Sequence, residues 1–275
     1  MFQGENRRWW ILINITGSLS MILIDQTVVS VALPDMRLDL DLSRAGTQWV
    51  VNAYILALAS CIALGGRLAD MYGRVRCFTL GVSLFTLSSL MCAAAGSAAV
   101  VLVGRTLQGI GAGLMQPASA AMVLSAFKPN ERGKAMAIYA GTAMGFMAVG
   151  PLLGGVLTEY LSWRWVFYIN LPIGAGTLLL TRLVKPPEAR TGGEGVHPLG
   201  IGLFFTGIIA FVLGVQQAHA WGWTAPATLG CILGGAAMLA VFLVFETRVE
   251  GPLFRLDLFK DPGMAAGSCL LFCVQ

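Results

Sequence analysis

Eight long apolar segments constrain this chain more than any other feature of its sequence. A membrane-spanning helix needs about 20 mostly apolar residues, and each segment is near that length. Only 12% of the residues are charged and 56% are hydrophobic, whereas a soluble domain carries about 25% charged residues. The pattern predicts an all-α polytopic membrane protein and excludes an ordinary soluble domain. The predicted spans are residues 9–33, 47–64, 77–96, 98–127, 135–157, 163–184, 199–218 and 225–245.

A ninth apolar segment begins near Gly263 and reaches only to Gln275. It is too short to cross a membrane, and a natural chain seldom ends inside the hydrocarbon. We therefore expect a partial ninth span, and a sequence that is part of a longer protein.

Lysine and arginine predict the orientation of the spans. With the N-terminus in the cytoplasm, 14 of the 18 basic residues face the cytoplasm, as the positive-inside rule requires. Arg37, Arg44 and Arg164 fall outside and Arg105 lies within a span. We expect a multi-pass protein of the plasma (inner) membrane, with the lipid bilayer as its partner. This topology accounts for the net charge of +4 without nucleic acid.

The residues that build catalytic and metal sites are sparse. The chain has two histidines and six cysteines with no C-x-x-C pair, which disfavours a metal site. No G-x-x-x-x-G-K-[ST] loop is present for a nucleotide phosphate, and no nucleophile–base cluster is visible. The sequence predicts a protein that is not an enzyme and uses neither metal nor cofactor.

Two charged residues lie inside predicted spans. Asp25 is about 12 Å and Arg105 about 10 Å from the outer edge of their spans, at 1.5 Å per residue. Charged groups at such depth face a bundle interior or an aqueous cavity and are functional by default. Burial favours a protonated carboxyl and a nearby arginine favours an ionised one. A cationic substrate could shift that balance, which suggests proton exchange at Asp25. The alternative is a structural pair that only fixes helix packing.

On each of these two spans, further polar residues lie on the same helical face as the charged residue and form a polar stripe. Asn14 shares a helical face with Asp25, while Gln108 and Gln116 share one with Arg105. We predict that the two stripes face each other across a central cavity for substrate and protons.

Two further stretches contain glycine, proline or acidic residues whose presence in or beside a membrane span needs an explanation. The fifth span contains Gly145, Gly150, Pro151, Gly154 and Gly155, which predict either a hinge or sliding face, or simply close helix packing.

The loop after the second span contains Gly66, Asp70, Gly73 and Arg74. An acid flanked by arginines suits a local charge network at a helix end. Positive-inside signalling is the alternative, and it explains the arginines but not Asp70 or the glycines.

A short pattern repeats along the chain. G-G-x-L-x-acid occurs at residues 65–70 and again at 154–159, an offset of 89 residues. Three predicted spans separate the copies, which places them on opposite faces of the membrane. An inverted repeat of three plus three helices requires that arrangement, although a chance match between glycine-rich helices is the alternative.

Taken together, these stretches resemble the major facilitator superfamily and, more narrowly, its drug:proton antiporter branch with fourteen spans. The similarity rests on five stretches in the family's order. They are the first-helix motif at 25–34, the loop motif at 66–76, the fourth-helix motif at 104–111, the antiporter motif at 141–155 and the start of helix six at 163–172.

The resemblance implies two six-helix bundles around a cavity that opens alternately to each side. It implies proton coupling through Asp25 and Arg105, and a conformational contact through Asp70, supported by Gly73 and Arg74. It also implies the domain plan: a six-helix bundle over 1–185, a linker with two extra spans over 186–260, and the start of a second bundle over 261–275.

We therefore predict proton-coupled efflux of small amphipathic or cationic drugs, driven by the proton gradient, with a missing C-terminal bundle needed for function. Two alternatives remain. One is the same fold exporting one specific natural product, and the other is a truncated membrane fragment that does not transport.

Overall fold

The structure is a computed structural model that describes residues 6–188 and 197–249. Within these ranges all regular secondary structure is helical, and eight stretches are long and apolar enough to cross a membrane. All eight predicted spans are confirmed, whereas the predicted ninth lies outside the described residues. The helices are α1 (Asn6–Asp39), α2 (Arg44–Tyr72), α3 (Arg74–Ala93), α4 (Ala98–Ala126), α5 (Arg132–Tyr160), α6 (Trp165–Tyr168), α7 (Asn170–Val184), α8 (Pro198–Trp221) and α9 (Pro226–Glu246).

The chain divides into two compact units, Met1–Gly192 and Gly193–Gln275. The first contains α1 to α7. In the second, α8 and α9 pack against each other. Gly214 and Gly235 lie directly against the partner helix there, so the absence of side chains lets the two backbones approach closely.

The sixth predicted span is helical from Trp165 to Val184, and α6 and α7 are separated only at Ile169, whose φ of −58° and ψ of −27° are themselves helical. α6 ends at Tyr168 and α7 begins at Asn170. Pro172 lies four residues after Tyr168, and a proline ring clashes with the carbonyl at that position of a continuous helix. Asn170 lies directly after this interruption, in the first turn of α7.

A polar cluster ties the start of this span to the rest of the bundle. Asp39, at the end of α1, accepts hydrogen bonds from Trp163 Nε1 at 3.0 Å and from Arg164 Nη1 at 2.7 Å. The second guanidinium nitrogen, Arg164 Nη2, donates to the carbonyl of Ala95 at 3.0 Å. The segment before α6 is thus fixed to α1 and to the α3–α4 loop.

The helix packing follows the predicted inverted repeat. α2 packs on α4, and α5 packs on α1, which is the same contact once the two three-helix repeats are exchanged. Gly65 lies against the backbone of Gly113 on α4, while Gly154 lies against Val28 on α1. The first glycine of each copy of the repeated pattern therefore lies at the equivalent contact.

Enlarging Gly65 is expected to separate α2 from α4. In Gly65→Val, the new Cβ would overlap the Gly113 carbonyl and lie 3.0 Å from Leu114 Cα, and backbone atoms cannot yield as a side chain can. Overpacking of this kind costs about 1–3 kcal/mol. Thermal unfolding in detergent, followed by tryptophan fluorescence, measures the loss. Gly17→Ala is the control, because a Cβ there meets no atom within 4 Å; equal stability of both variants would contradict the contact.

Candidate functional site

A buried ion pair lies at the centre of the first unit. Arg105 Nη1 of α4 donates to Asp25 Oδ2 of α1 at 2.5 Å, and the side chains are 1% and 0% exposed. The two charges meet directly and not across a cavity, which corrects the predicted arrangement of their stripes. The physical reason is that a separated charge inside the bundle would lose both water and its partner.

Two amides complete the shell around the carboxylate. Gln108 Nε2 donates to Asp25 Oδ1 at 3.3 Å, and Asn170 Nδ2 donates to the same oxygen at 3.1 Å. Gln108 also accepts from Arg105 Nη1 through Oε1 at 2.8 Å. Ser89 Oγ accepts from both amides, at 2.7 Å from Gln108 and 3.3 Å from Asn170. The Asp25 carboxyl thus accepts three hydrogen bonds, all from buried side chains.

The guanidinium of Arg105 is held on its other side by α2. Its Nε donates to the carbonyl of Val50 at 3.0 Å, and its Cζ lies 4.3 Å from the centroid of the Tyr54 ring. A cation over an aromatic face is stabilised by the ring quadrupole. Residues from α1, α2, α3, α4 and α7 therefore converge on one pair of charges.

Asp25 and Arg105 balance each other's charge. With Asp25 ionised, the two charges cancel and the buried cluster is neutral. A proton on Asp25 would leave the Arg105 cation without its counter-charge in a medium where an uncompensated charge is expensive. Protonation therefore favours any rearrangement that brings Arg105 to water or to another anion.

The structure separates two predicted residues from this cluster. Asn14 Nδ2 donates to Thr181 Oγ1 of α7 at 2.8 Å, and Gln116 has a buried Oε1 without a hydrogen-bond partner. Each lies eleven positions from the charge on its own helix, which is about 16 Å along the axis. Asn14 and Gln116 thus share a helical face with the charged residue of their own helix, but they lie at a different depth from the Asp25–Arg105 pair.

Several residues of the cluster are absent from the sequence prediction. They are Asn170, Ser89, Tyr54 and the carbonyl of Val50. The available signal for Asn170 was an amide inside an apolar span, at the end of the 163–172 motif. Nothing in the pattern pointed to Ser89, since serines at membrane depth commonly bond their own helix, as Ser88 does to Leu84.

The loop motif forms a second cluster, where α2 ends and α3 begins. Arg74 Nη2 donates to Asp70 Oδ1 at 3.3 Å, and its Nη1 donates to the Ala121 carbonyl at 3.3 Å.

Gly73 lies at the junction of α2 and α3. It has φ +110°, a conformation that favours glycine, and it lets α3 start directly after α2. The carboxylate of Glu188 lies against Gly73 and accepts from the Val75 amide at 3.2 Å. Gly66, by contrast, makes only ordinary contact with Pro117.

The glycines of the fifth span divide into two kinds. Gly150 and Gly154 lie against Thr27 and Val28 of α1, whereas a Cβ at Gly145 or Gly155 would meet nothing within 4 Å. α5 is helical throughout, including Pro151. The first two glycines thus serve close packing, and the other two lie on a face that is open within the first unit.

Known proteins are similar to this chain in both sequence and fold. The Major Facilitator Superfamily model matches residues 15–199. The puromycin resistance protein pur8 of Streptomyces alboniger is 41% identical, with 96% of this chain and 52% of that protein covered. The tetracenomycin C resistance and export protein of Streptomyces glaucescens is 33% identical, with 97% and 50% covered. The cephamycin export protein CmcT of Amycolatopsis lactamdurans is 39% identical, with 90% and 52% covered.

Solved structures agree on the fold. A mutant of the peptide transporter POT, in complex with sulfate, matches with a TM-score of 0.65 at 16% identity, over 90% of this chain and 54% of that one. The chain spans about half the length of the curated relatives it matches. Membrane-length helices, the family match and the shared fold lead to one conclusion: this multi-pass membrane protein belongs to the Major Facilitator Superfamily.

Proposed function

We propose that this chain forms the N-terminal bundle and the following helix pair of a proton-coupled exporter of small amphipathic or cationic drugs. The observation that carries the proposal is the fully buried Asp25–Arg105 pair, a titratable carboxyl at membrane depth held by five helices. The relatives are named for resistance and export, which supports the direction of transport. The proton gradient supplies the energy, and no metal or cofactor takes part.

The proposed mechanism follows from the two charge states. A proton entering from outside neutralises Asp25 and weakens its hold on Arg105. The bundle then relaxes toward the conformation in which Arg105 finds water or another anion. On the cytoplasmic side, loss of the proton restores the pair. Substrate would move outward in the conformational half-cycle that the proton does not use.

The loop cluster supports this alternation at one end of the bundle. Asp70 and Arg74 form a local pair, and the Arg74 bond to Ala121 ties it to α4. We propose that this cluster stabilises one of the two conformations by contact with the C-terminal bundle, and that α5 provides a sliding face through Gly145 and Gly155.

The excess of basic residues at one set of helix ends supports a cytoplasmic N-terminus in the plasma (inner) membrane. Arg8 of α1 pairs there with Glu131 at 2.6 Å, and Arg7 donates to the Val184 carbonyl at 3.1 Å. These contacts group the N-terminus, the α4–α5 connection and the end of α7 on one side.

A second candidate is export of one specific natural product by the same fold. It is favoured by the names of relatives that refer to export of a single antibiotic, such as the cephamycin export protein. The remaining alternative is a fragment that does not transport, which the half-length match supports.

Efflux of a fluorescent cation from cells tests the proposal. We expect a version extended through the downstream reading frame to expel the cation under a proton gradient, and the 275-residue chain alone to leave it inside. Collapse of the gradient with a protonophore should stop efflux. Transport by the 275-residue chain alone would contradict the need for a second bundle. An extended form that moves neither the cation nor a panel of antibiotics would contradict export.

A further inference from the structure

Among the described side chains that hydrogen-bond to Asp25, Asn170 alone has a buried polar atom without a hydrogen-bond partner. Its side chain is 0% exposed, and its Nδ2 donates to Asp25 Oδ1 at 3.1 Å. Its Oδ1 is buried and has no hydrogen-bond partner. Buried acceptors are normally satisfied, so this lone acceptor next to a titratable carboxyl needs an explanation.

A proton can bind to only one oxygen of the Asp25 carboxyl without approaching the Arg105 guanidinium. Asp25 Oδ2 is 2.5 Å from Arg105 Nη1, whereas Oδ1 faces the two amides. Once Oδ1 carries a proton it becomes a donor and needs an acceptor. Both of its present partners offer it N–H groups, so one of them must turn around.

The geometry selects which partner can turn. Arg105 has no acceptor atom. Gln108 has one, but its Oε1 accepts from Arg105 Nη1 at 2.8 Å, and turning that amide would set its N–H groups against the guanidinium. If Asn170 turned, Nδ2 would give up its bonds to Asp25 Oδ1 and to Ser89 Oγ, and Oδ1, which has no hydrogen-bond partner, would accept from the protonated carboxyl.

We propose that Asn170 is a positioning residue that changes from donor to acceptor when Asp25 takes up a proton. The inference rests on the proposed proton coupling. The proton adds to Asp25 Oδ1, the hydrogen bond from Asn170 Nδ2 breaks, and the amide turns by half a rotation. The new Asp25 O–H then donates to Asn170 Oδ1. Release of the proton to water reverses each step, and no other covalent bond changes.

The surroundings of Asp25 leave this exchange to Asn170. The ionisable groups that face the carboxyl are Arg105 from α4, Tyr54 from α2 and Cys92 from α3. α5 brings Gly150 and Gly154 to α1, and α7 brings the amide itself. Among the described residues, no ionisable side chain of α5 or α7 contacts Asp25.

Infrared difference spectroscopy of the 275-residue chain in lipid nanodiscs tests the inference without requiring transport. Acidification should produce a carboxylic C=O band that is missing in Asp25→Asn. In Asn170→Leu we expect this band at higher frequency, because the acid O–H has lost its acceptor. Asn170→Ser, whose hydroxyl can donate or accept, should move the band back toward the wild-type position.

Thr177→Val is the matched control, since it alters a buried polar residue two turns further along α7 and should leave the band in place. Asn170→Ala replaces Asn170→Leu if the larger side chain prevents folding. If the band has the wild-type frequency in both Asn170 variants, the donor-to-acceptor change is overturned, whereas the proposed proton coupling is not. A wild-type protein with no Asp25 band at any pH overturns the proposed proton coupling itself.

Discussion

Asp25→Asn is expected to reduce proton-driven efflux by the extended protein to the level of cells that lack it. Asparagine keeps the shape of the side chain and can still accept from Arg105, but it cannot bind and release a proton. The pair would then lose one of its two charge states, and the proton gradient would have no group to act on. Fluorescent-cation efflux after an imposed pH step measures this directly.

The matched control is Asp35→Asn, the same chemical change at an exposed position near the C-terminal end of α1. It should leave efflux intact. Substrate binding, measured by fluorescence polarisation in detergent, should survive in Asp25→Asn and show that the protein is folded. Full proton-driven efflux by Asp25→Asn would make the Asp25–Arg105 pair a structural feature only.

The second large effect is expected on stability. Arg105→Met leaves the Asp25 carboxylate buried without its counter-charge, and breaking a buried pair on one side costs about 3–5 kcal/mol. We expect little folded protein or a strongly lowered unfolding temperature. The double variant Asp25→Asn/Arg105→Met removes both charges and should recover much of that stability while still failing to transport.

Arg164→Met provides the comparison for this experiment. Its ion pair with Asp39 is partly exposed, and solvent-exposed pairs contribute little to stability. A large loss in both single variants would indicate a general sensitivity to arginine removal. A double variant no more stable than Arg105→Met would contradict charge compensation as the reason for burial.

The spans could be predicted from the sequence because length and hydropathy decide whether a helix crosses a membrane. The apolar middle of each membrane-length helix lies within the segment that the hydropathy pattern predicts. The helix ends could not be predicted as well, since α1 continues through Pro34 to Asp39 and α2 continues to Tyr72. In those stretches polar residues remain helical beyond the apolar segment, and hydropathy carries no signal for that.

The site shows a second limit. Helical phase correctly placed Asp25, Arg105 and Gln108 together, because all three lie near the same depth as well as on facing stripes. Phase alone also grouped Asn14 and Gln116 with them, although angle around a helix says nothing about distance along it.

Asn170 could not be assigned from phase at all. Helical phase relates residues of one helix, and Asn170 lies on α7, which packs against α1 and α3. The rotation of α7 toward those helices depends on tertiary packing, which the sequence pattern does not show.

The wide sequence separation of the ion pair has a consequence for biosynthesis. Arg105 follows Asp25 by 80 residues, and chains grow at about 5–20 residues per second. For about 4–16 s after α1 is made, its carboxyl has no arginine to pair with. During that interval α1 either enters the lipid with Asp25 neutral or waits beside the translocation machinery until α4 emerges. The pair that balances the charges in the finished bundle is therefore absent while α1, α2 and α3 are made, and Asp25 gains this counter-charge only with α4.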